Sequence, residues 1–378
     1  MTSKKTAIVL FNLGGPDKQE SVKPFLFNLF NDKAIIALPQ PFRFLLAKLI
    51  SSKREKTAQE IYAQISGKSP IFEATKVQAE TLEKDLSYDG QNYKTFIAMR
   101  YWKPFAIDAA KKIAKYSPDQ IIFLPLYPQF STTTSGSSFD DFDKALKRAG
   151  VRASIDPDEN EIPIKKVCCY FNDDEFILSH AKLIKNKILQ QKFKSLKDFR
   201  ILFSAHGLPQ KIVDAGDPYV FQVEATSKKV MTKIYELLAK DGVFNLKLEV
   251  SEENIAQIDS KVCFQSKVGP LKWTTPSLGD ELRRAAKDRK SPLISPIAFV
   301  SEHSETLVEL DIEYKELADE LGIKNYSRVS TLNVDGHFIK SLAQICRSVS
   351  NQEPGFFVGC SKGRACPGEF SKCPSLSF

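Results

Sequence analysis

Pro296-Ile-Ala-Phe-Val-Ser-Glu-His-Ser-Glu-Thr-Leu-Val-Glu-Leu-Asp-Ile-Glu-Tyr314 passes from an apolar, strand-like start into a helix carrying Glu302, His303, Glu305, Glu309 and Glu313. In an α-helix, residues four apart stack along one side, so the spacing predicts a carboxylate file of Glu305, Glu309 and Glu313 below Glu302 and His303. Leu307, Leu310 and Tyr314 fall on another side and can face a core. Taken alone, such a row also reads as a solvated acidic face. Segments elsewhere in the chain argue for more.

Three other stretches share this shape of an apolar run ending in polar residues: Ile201-Leu-Phe-Ser-Ala-His-Gly-Leu-Pro209, Val262-Cys-Phe-Gln-Ser-Lys-Val-Gly-Pro270 and Ile121-Ile-Phe-Leu-Pro-Leu-Tyr-Pro-Gln-Phe-Ser131. Short aliphatic runs alternate with longer segments of helical period, which predicts an α/β fold of parallel strands flanked by crossover helices. Open sheets of that kind bind ligands beyond the carboxyl ends of their strands, where these polar strings lie. Phe11-Asn-Leu-Gly-Gly-Pro16 echoes Ser204-Ala-His-Gly-Leu-Pro209, and Leu124-Pro-Leu126 echoes Ser295-Pro-Ile297. The parallel order of these echoes predicts two similar Rossmann-like halves, residues 5–170 and 171–350, with the active site in a cleft between them. Residues 351–378 form a cysteine-containing tail, read as disordered.

With 378 residues, 42% hydrophobic and 26% charged, the chain has the composition of a globular protein with room for two cores. A formal charge of +8 without a dense Lys/Arg block excludes a nucleic-acid footprint and points to anionic lipid or substrate carboxylates. No apolar run approaches the ~20 residues needed to span a bilayer. The start, Met1-Thr-Ser-Lys-Lys, has neither signal-peptide nor presequence character, and seven cysteines fit reduced thiols, so a cytoplasmic location is expected. Segment 34–50 is apolar, broken by Pro39 and Pro41, and followed by Lys53, Arg54 and Lys56. It reads either as a buried helix with a basic end or as an interfacial helix dipping into anionic lipid.

Together with Asn12-Leu-Gly-Gly-Pro16 and Met99-Arg-Tyr101, these strings resemble the ferrochelatases, which insert ferrous iron into protoporphyrin IX, and the Gln-Ser-Lys-Val-Gly-Pro form is similar to the mitochondrial and proteobacterial branch. The resemblance implies a lyase of haem biosynthesis, acting at the surface of the inner membrane as a monomer or homodimer, with Fe²⁺ as substrate and no cofactor required for catalysis. It implies that segment 34–50 is an apolar lip through which porphyrin enters, and that protoporphyrinogen oxidase is a candidate partner. Metallation of coproporphyrin III or of another tetrapyrrole is the nearest alternative. A non-catalytic tetrapyrrole or metal carrier is the alternative of another class.

Metallating a porphyrin requires removing two pyrrole protons, bending the ring and stripping water from Fe²⁺. Proton removal near neutral pH suits histidine; of the four present, His206 ends a predicted strand, and the resemblance makes it the first candidate for proton acceptor or metal presenter. A metal that must be released suits carboxylates and a lone imidazole better than thiolates, a condition met by Glu302, His303 and Glu305. Glu309 and Glu313 then carry protons outward or iron inward. By family position, Leu13, Tyr62, Trp273 and Phe299 are candidate ring walls, and Arg54, Ser69, Arg100 and Tyr127 candidate contacts for the ring carboxylates. Some ferrochelatases carry a [2Fe–2S] cluster on carboxyl-terminal cysteines, which makes Cys360, Cys366 and Cys373 candidate ligands, with Cys346, Cys168 or Cys169 as the fourth. A tail of free thiols is the other reading.

Overall fold

The computed structural model describes residues 4–375 apart from Asp89. The strands, in chain order, are β1 (Lys5–Asn12), β2 (Asn92–Met99), β3 (Gln120–Pro125), β4 (Ala153–Ser154), β5 (Ile162–Cys169), β6 (Phe199–His206), β7 (Ser260–Gln265), β8 (Ser291–Pro296), β9 (Ser327–Arg328), β10 (Gly355–Val358) and β11 (Ser361–Lys362). They form two sheets, and the chain separates into two compact units. Unit 1 takes the chain through Cys169, then Leu342–Pro367 and a last piece from Cys373; unit 2 is Tyr170–Ser341 with Gly368–Lys372.

In unit 1 the strand order is β11-β10-β5-β3-β1-β2, with β4 pairing β5. β1 lies between β2 and β3, parallel to both. A strand sandwiched in this way is covered on both faces, and the unbroken run Ala7 to Phe11 is fully buried. Phe11, Phe123, Phe139 and Phe142 close this core, with Phe11 edge-on to Phe123 at 5.2 Å and to Phe142 at 5.3 Å between ring centroids. The stretch after residue 350, expected to be loose, instead supplies β10, which pairs in parallel with β5. Its Phe357 is wholly buried, and that apolar side chain gives the tail reason to dock.

Unit 2 has the order β7-β6-β8-β9, all parallel. Numbering the strands within each unit by chain order, and leaving aside the short β4, unit 1 reads 2-1-3-4-5-6 and unit 2 reads 2-1-3-4, so the first four strands share the topology expected of a duplication. The echoed strings fall at matching places. Phe11–Pro16 and Ser204–Pro209 each straddle the end of the first strand, and Pro125 and Pro296 each close the third. A π-helix follows the third strand in both units, Thr132–Gly136 in one and Glu305–Glu313 in the other.

Candidate active site

The central strand of unit 2, β6, is buried until its last residue, His206, emerges with its side chain 38% exposed. β7 runs alongside and ends in register with it at Gln265. Gly207 then permits a close approach, because a Cβ there would come within 3.1 Å of the Gln265 carbonyl and 3.2 Å of the Trp273 ring. Trp273 consequently lies beside His206, 6.3 Å between ring centroids, and its indole N–H donates to the Val268 carbonyl at 3.1 Å.

β8 stops at Pro296, and the residues quoted first pass through a loop before the helix begins at Glu305. That helix is a π-helix through Glu313, wider than the expected α-helix, a form that occurs mostly as single turns at functional sites. Leu310 ties it to the sheet through a buried cluster with Leu202, Cys263 and Ile294, and Tyr314 packs against the same cluster.

Glu305 is the meeting point. Its Oε2 lies 2.9 Å from His206 Nδ1 and 3.8 Å from His303 Nε2. His303 Nδ1 is 3.0 Å from the Ser301 carbonyl, which can only accept, so that nitrogen carries a proton and Nε2 faces the carboxylate. Burial disfavours the Glu305 charge, yet the two imidazoles, His206 foremost, hold its carboxyl far below the usual carboxylate range. Burial also opposes charge on His206, but Glu305 outweighs it, with help from Glu309, and raises the imidazole pKa. His206 is therefore ion-paired with Glu305.

Glu309 behaves oppositely. Burial first, then the neighbouring Glu305 charge, raises its pKa, although it accepts from Ser266 N–H at 2.8 Å, Ser266 Oγ at 2.5 Å and Gln265 Nε2 at 3.0 Å. Gln265 also donates to the Glu305 carbonyl at 2.9 Å and accepts from Ser204 Oγ at 2.6 Å. Gln265, Ser266 and Ser204 are functional residues that the residue-by-residue reading passed over, although all three lie inside the quoted strings; the signal was their place at strand ends. Glu313 is exposed at the far end of the helix.

The structure gives Glu302 another task. Both its oxygens face Arg328 Nη1, at 3.0 and 3.2 Å, and Oε1 also accepts from Thr331 N–H at 3.0 Å. Arg328 in turn holds Asp311 with two bonds of 2.6 Å. Glu302 is thus bound to a guanidinium and a main-chain N–H. Phe299, a candidate wall, leans on His303 at 4.9 Å.

The remaining wall and carboxylate candidates belong to unit 1. Leu13 and Tyr62 pack in one cluster with Val22, Phe25 and Tyr101. Ser69 abuts Gly15, whose Cβ would lie 2.5 Å from that of Ser69, so only glycine fits. Tyr127 packs against the Phe11 core beside Ser138. Arg54 is exposed and sits over the Phe30 ring at 5.9 Å. Arg100 faces Asp32, Ser137 and Asp141 at 2.9, 2.7 and 3.5 Å, so its nitrogens already meet protein acceptors.

The cysteines fall into two groups. Cys168 and Cys169 have their sulfurs 3.4 Å apart, and Cys169 feels Cys366 and Cys373. Cys346 instead feels Cys360. A hydrogen bond from Cys366 lowers the Cys373 thiol to about 7 against the effect of burial. Among the described residues no group of three or more His, Cys, Asp or Glu side chains stands where it could hold a metal ion.

The ferrochelatase family profile matches residues 5–350. A curated ferrochelatase of Rickettsia bellii is 49% identical over 376 residues, covering 99% of this chain and 96% of the relative. That of Caulobacter vibrioides is 45% identical over 374 residues, covering 98% of each. Among solved structures, the sirohydrochlorin chelatase SirB of Bacillus subtilis in complex with cobalt aligns at a TM-score of 0.47 and 12% identity, over 92% of this chain and 97% of that one.

Proposed function

The chain belongs to the ferrochelatase family and is an enzyme, a metal chelatase inserting Fe²⁺ into protoporphyrin IX; from that premise we propose which of its residues carry the reaction. Fe²⁺ is received at Glu305, with His206 and His303 alongside. Glu305 keeps its Oε2 on the His206 Nδ1–H, which leaves the imidazole Nε2 open to accept a pyrrole proton while the second carboxylate oxygen takes the cation. Glu309 takes protons onward and Glu313 is the solvent end of the path. Gln265 and Ser266 hold Glu309 in place. Trp273 and Phe299 are the candidate ring walls of unit 2; in unit 1, Leu13, Tyr62, Ser69, Tyr127 and Arg54 are the candidate ring contacts.

The observation that carries this reading is the convergence of two imidazoles on one half-buried carboxylate at the carboxyl end of a central parallel strand. Its test is anaerobic metallation followed by visible absorption. Glu305→Gln abolishes turnover, Glu309→Gln slows it less and Glu313→Gln least. Equal loss at all three, or Glu305→Gln retaining more than about a third of wild-type turnover, would overturn the assignment.

Two further points belong to this proposal. The exposed Ile35, Leu38, Phe42, Phe44, Leu45 and Leu49, beside Lys53, Arg54 and Lys56, serve as a peripheral docking surface for anionic membrane, where an apolar porphyrin is collected. No helix is long and apolar enough to cross a membrane among the described residues. The four thiolates of a [2Fe–2S] centre would come from Cys168, Cys169, Cys366 and Cys373, which are not gathered into a metal-holding group here, so binding would have to draw the end of the chain closer to β5. The visible spectrum of the purified protein, with Cys373→Ser losing the chromophore and Cys360→Ser keeping it, checks this.

A further inference from the structure

The apolar segment 34–50 is rooted on one carboxylate of unit 1. Asp32 follows the helix Val22–Phe30, and its Oδ1 accepts from the Ala34 N–H at 2.9 Å. Its Oδ2 accepts three more bonds, from Arg100 Nη2 at 2.9 Å, Tyr101 Oη at 2.8 Å and Ser137 Oγ at 2.5 Å. The Asp32 main-chain carbonyl accepts from the Ile35 and Ile36 N–H groups at 3.1 and 2.9 Å. One residue thus receives both the first turn of the apolar segment and three donors from the rim of the parallel sheet.

Arg43 closes the segment on itself, donating to the Asn31 carbonyl at 2.9 Å and to the Leu38 carbonyl at 2.7 Å. Between these two fastenings the chain exposes Ile35 and Leu38, and just beyond them Phe42, Phe44 and Leu45. Phe44 packs edge-on to Phe27 at 5.2 Å and Ala47 is buried, so packing holds the helix that begins at Phe42, whereas the turn before it, with Ile35 and Leu38 exposed, depends on the polar root. The Asp32 side chain is only 8% exposed. Deletion of a buried charged acceptor leaves its donors without a partner, which costs more than loss of an ordinary bond.

We propose that Asp32 is the positioning residue of the porphyrin entry segment, fixing the turn at residues 32–38 that leads into its helix, and that Arg100 is its counter-ion rather than a grip for a ring carboxylate. The inference rests on the ferrochelatase reading only for its activity measurement. Asp32→Asn keeps the shape and removes the charge that orders Arg100, Tyr101 and Ser137. In this variant the amides of Ala34, Ile35 and Ile36 exchange hydrogen at least ~10-fold faster. KM for protoporphyrin presented in anionic vesicles rises at least about fivefold, kcat changes less than about twofold, and KM for the same porphyrin in detergent micelles changes little.

A merely structural ion pair would change vesicle and micelle kinetics alike. Should Asp32→Asn fail to fold, Ser137→Ala and Tyr101→Phe, each removing one donor, are expected to move exchange and vesicle KM the same way by smaller amounts. Unchanged exchange at residues 34–36, or a fall in kcat with KM constant, overturns the proposal. If the wild-type protein inserts no iron, the functional reading fails while the exchange measurement still decides on Asp32.

Discussion

His206 donates through Nδ1 to Glu305, which leaves Nε2 for the substrate. An imidazole fixed in tautomer and direction by a carboxylate is the arrangement that makes a base effective, because the partner stabilises the cation formed on proton uptake. A positioned base is worth ~10²–10⁴ in rate. His206→Ala is therefore expected to lower metallation at least ~10²-fold at saturating iron. The side chain is 38% exposed, so truncation opens space to solvent rather than a cavity in the core, and the melting temperature and porphyrin affinity should stay near wild type. A variant keeping more than about a third of turnover would remove His206 from the chemistry. Glu305 shows why neighbouring acids differ: two imidazoles favour its charge, whereas at Glu309 burial and the Glu305 charge outweigh the bonds from Ser266 and Gln265 and the pull of His206.

At the scale of elements, the entry segment makes a prediction about acid stability. Burial works against the Asp32 charge, but Arg100, then the bonds from Ser137, Ala34 and Tyr101, hold its pKa below the ordinary aspartate value. A carboxylate depressed in the folded state contributes stability that is fully present above its unfolded pKa of ~3.9 and is lost as pH falls through the lower folded value. Denaturant midpoints should hence drop across that acid window in the wild type, and part of the drop should vanish in Asp32→Asn. An identical acid limb in both proteins would mean that Asp32 is not ionised in the native state. The strands at the heart of this fold were legible in the sequence because a strand covered on both faces must be apolar throughout, as Ala7 to Phe11 and Ile201 to Phe203 are. The π-helix was not. Spacing of four is compatible with both helix types, and the bonds this helix receives from Gln265 and Ser266 come from about forty residues away in sequence. For the same reason the pairing of Glu302 was not legible: its partner Arg328 is 26 residues downstream, and no local pattern announces it. The docking of the tail on β5 depends likewise on a pairing between residues far apart in the chain.

At the scale of the whole molecule, the same 2-1-3-4 topology appears twice with different chemistry at matching positions. Unit 1 carries Ser and Thr in the π-helix after its third strand, where unit 2 carries Glu. Leu13 matches His206 when the two glycine-proline strings are laid on each other. One copy thus presents apolar and hydroxyl groups and the other bases and acids, the division of labour a greasy, dianionic macrocycle and a hydrated cation would call for. The net charge of +8 adds attraction to anionic surfaces. Segment 34–50 is too short to cross ~30 Å of hydrocarbon, but its exposed apolar side chains and nearby cations suit reversible binding, at roughly 1 kcal/mol per Lys or Arg beside an anionic leaflet. The protein should sediment with anionic vesicles at low salt and be largely released at high salt, since the Debye length falls from ~10 Å at 0.1 M to ~3 Å at 1 M. Phe42 and Leu45, exposed by 64% and 60%, should matter most, so Phe42→Ser with Leu45→Ser weakens both sedimentation and delivery of vesicle-bound porphyrin while leaving micellar turnover intact. Binding to neutral vesicles that survives high salt would mean deep apolar insertion instead, and no sedimentation in any condition would mean that the exposed apolar segment docks on something other than lipid.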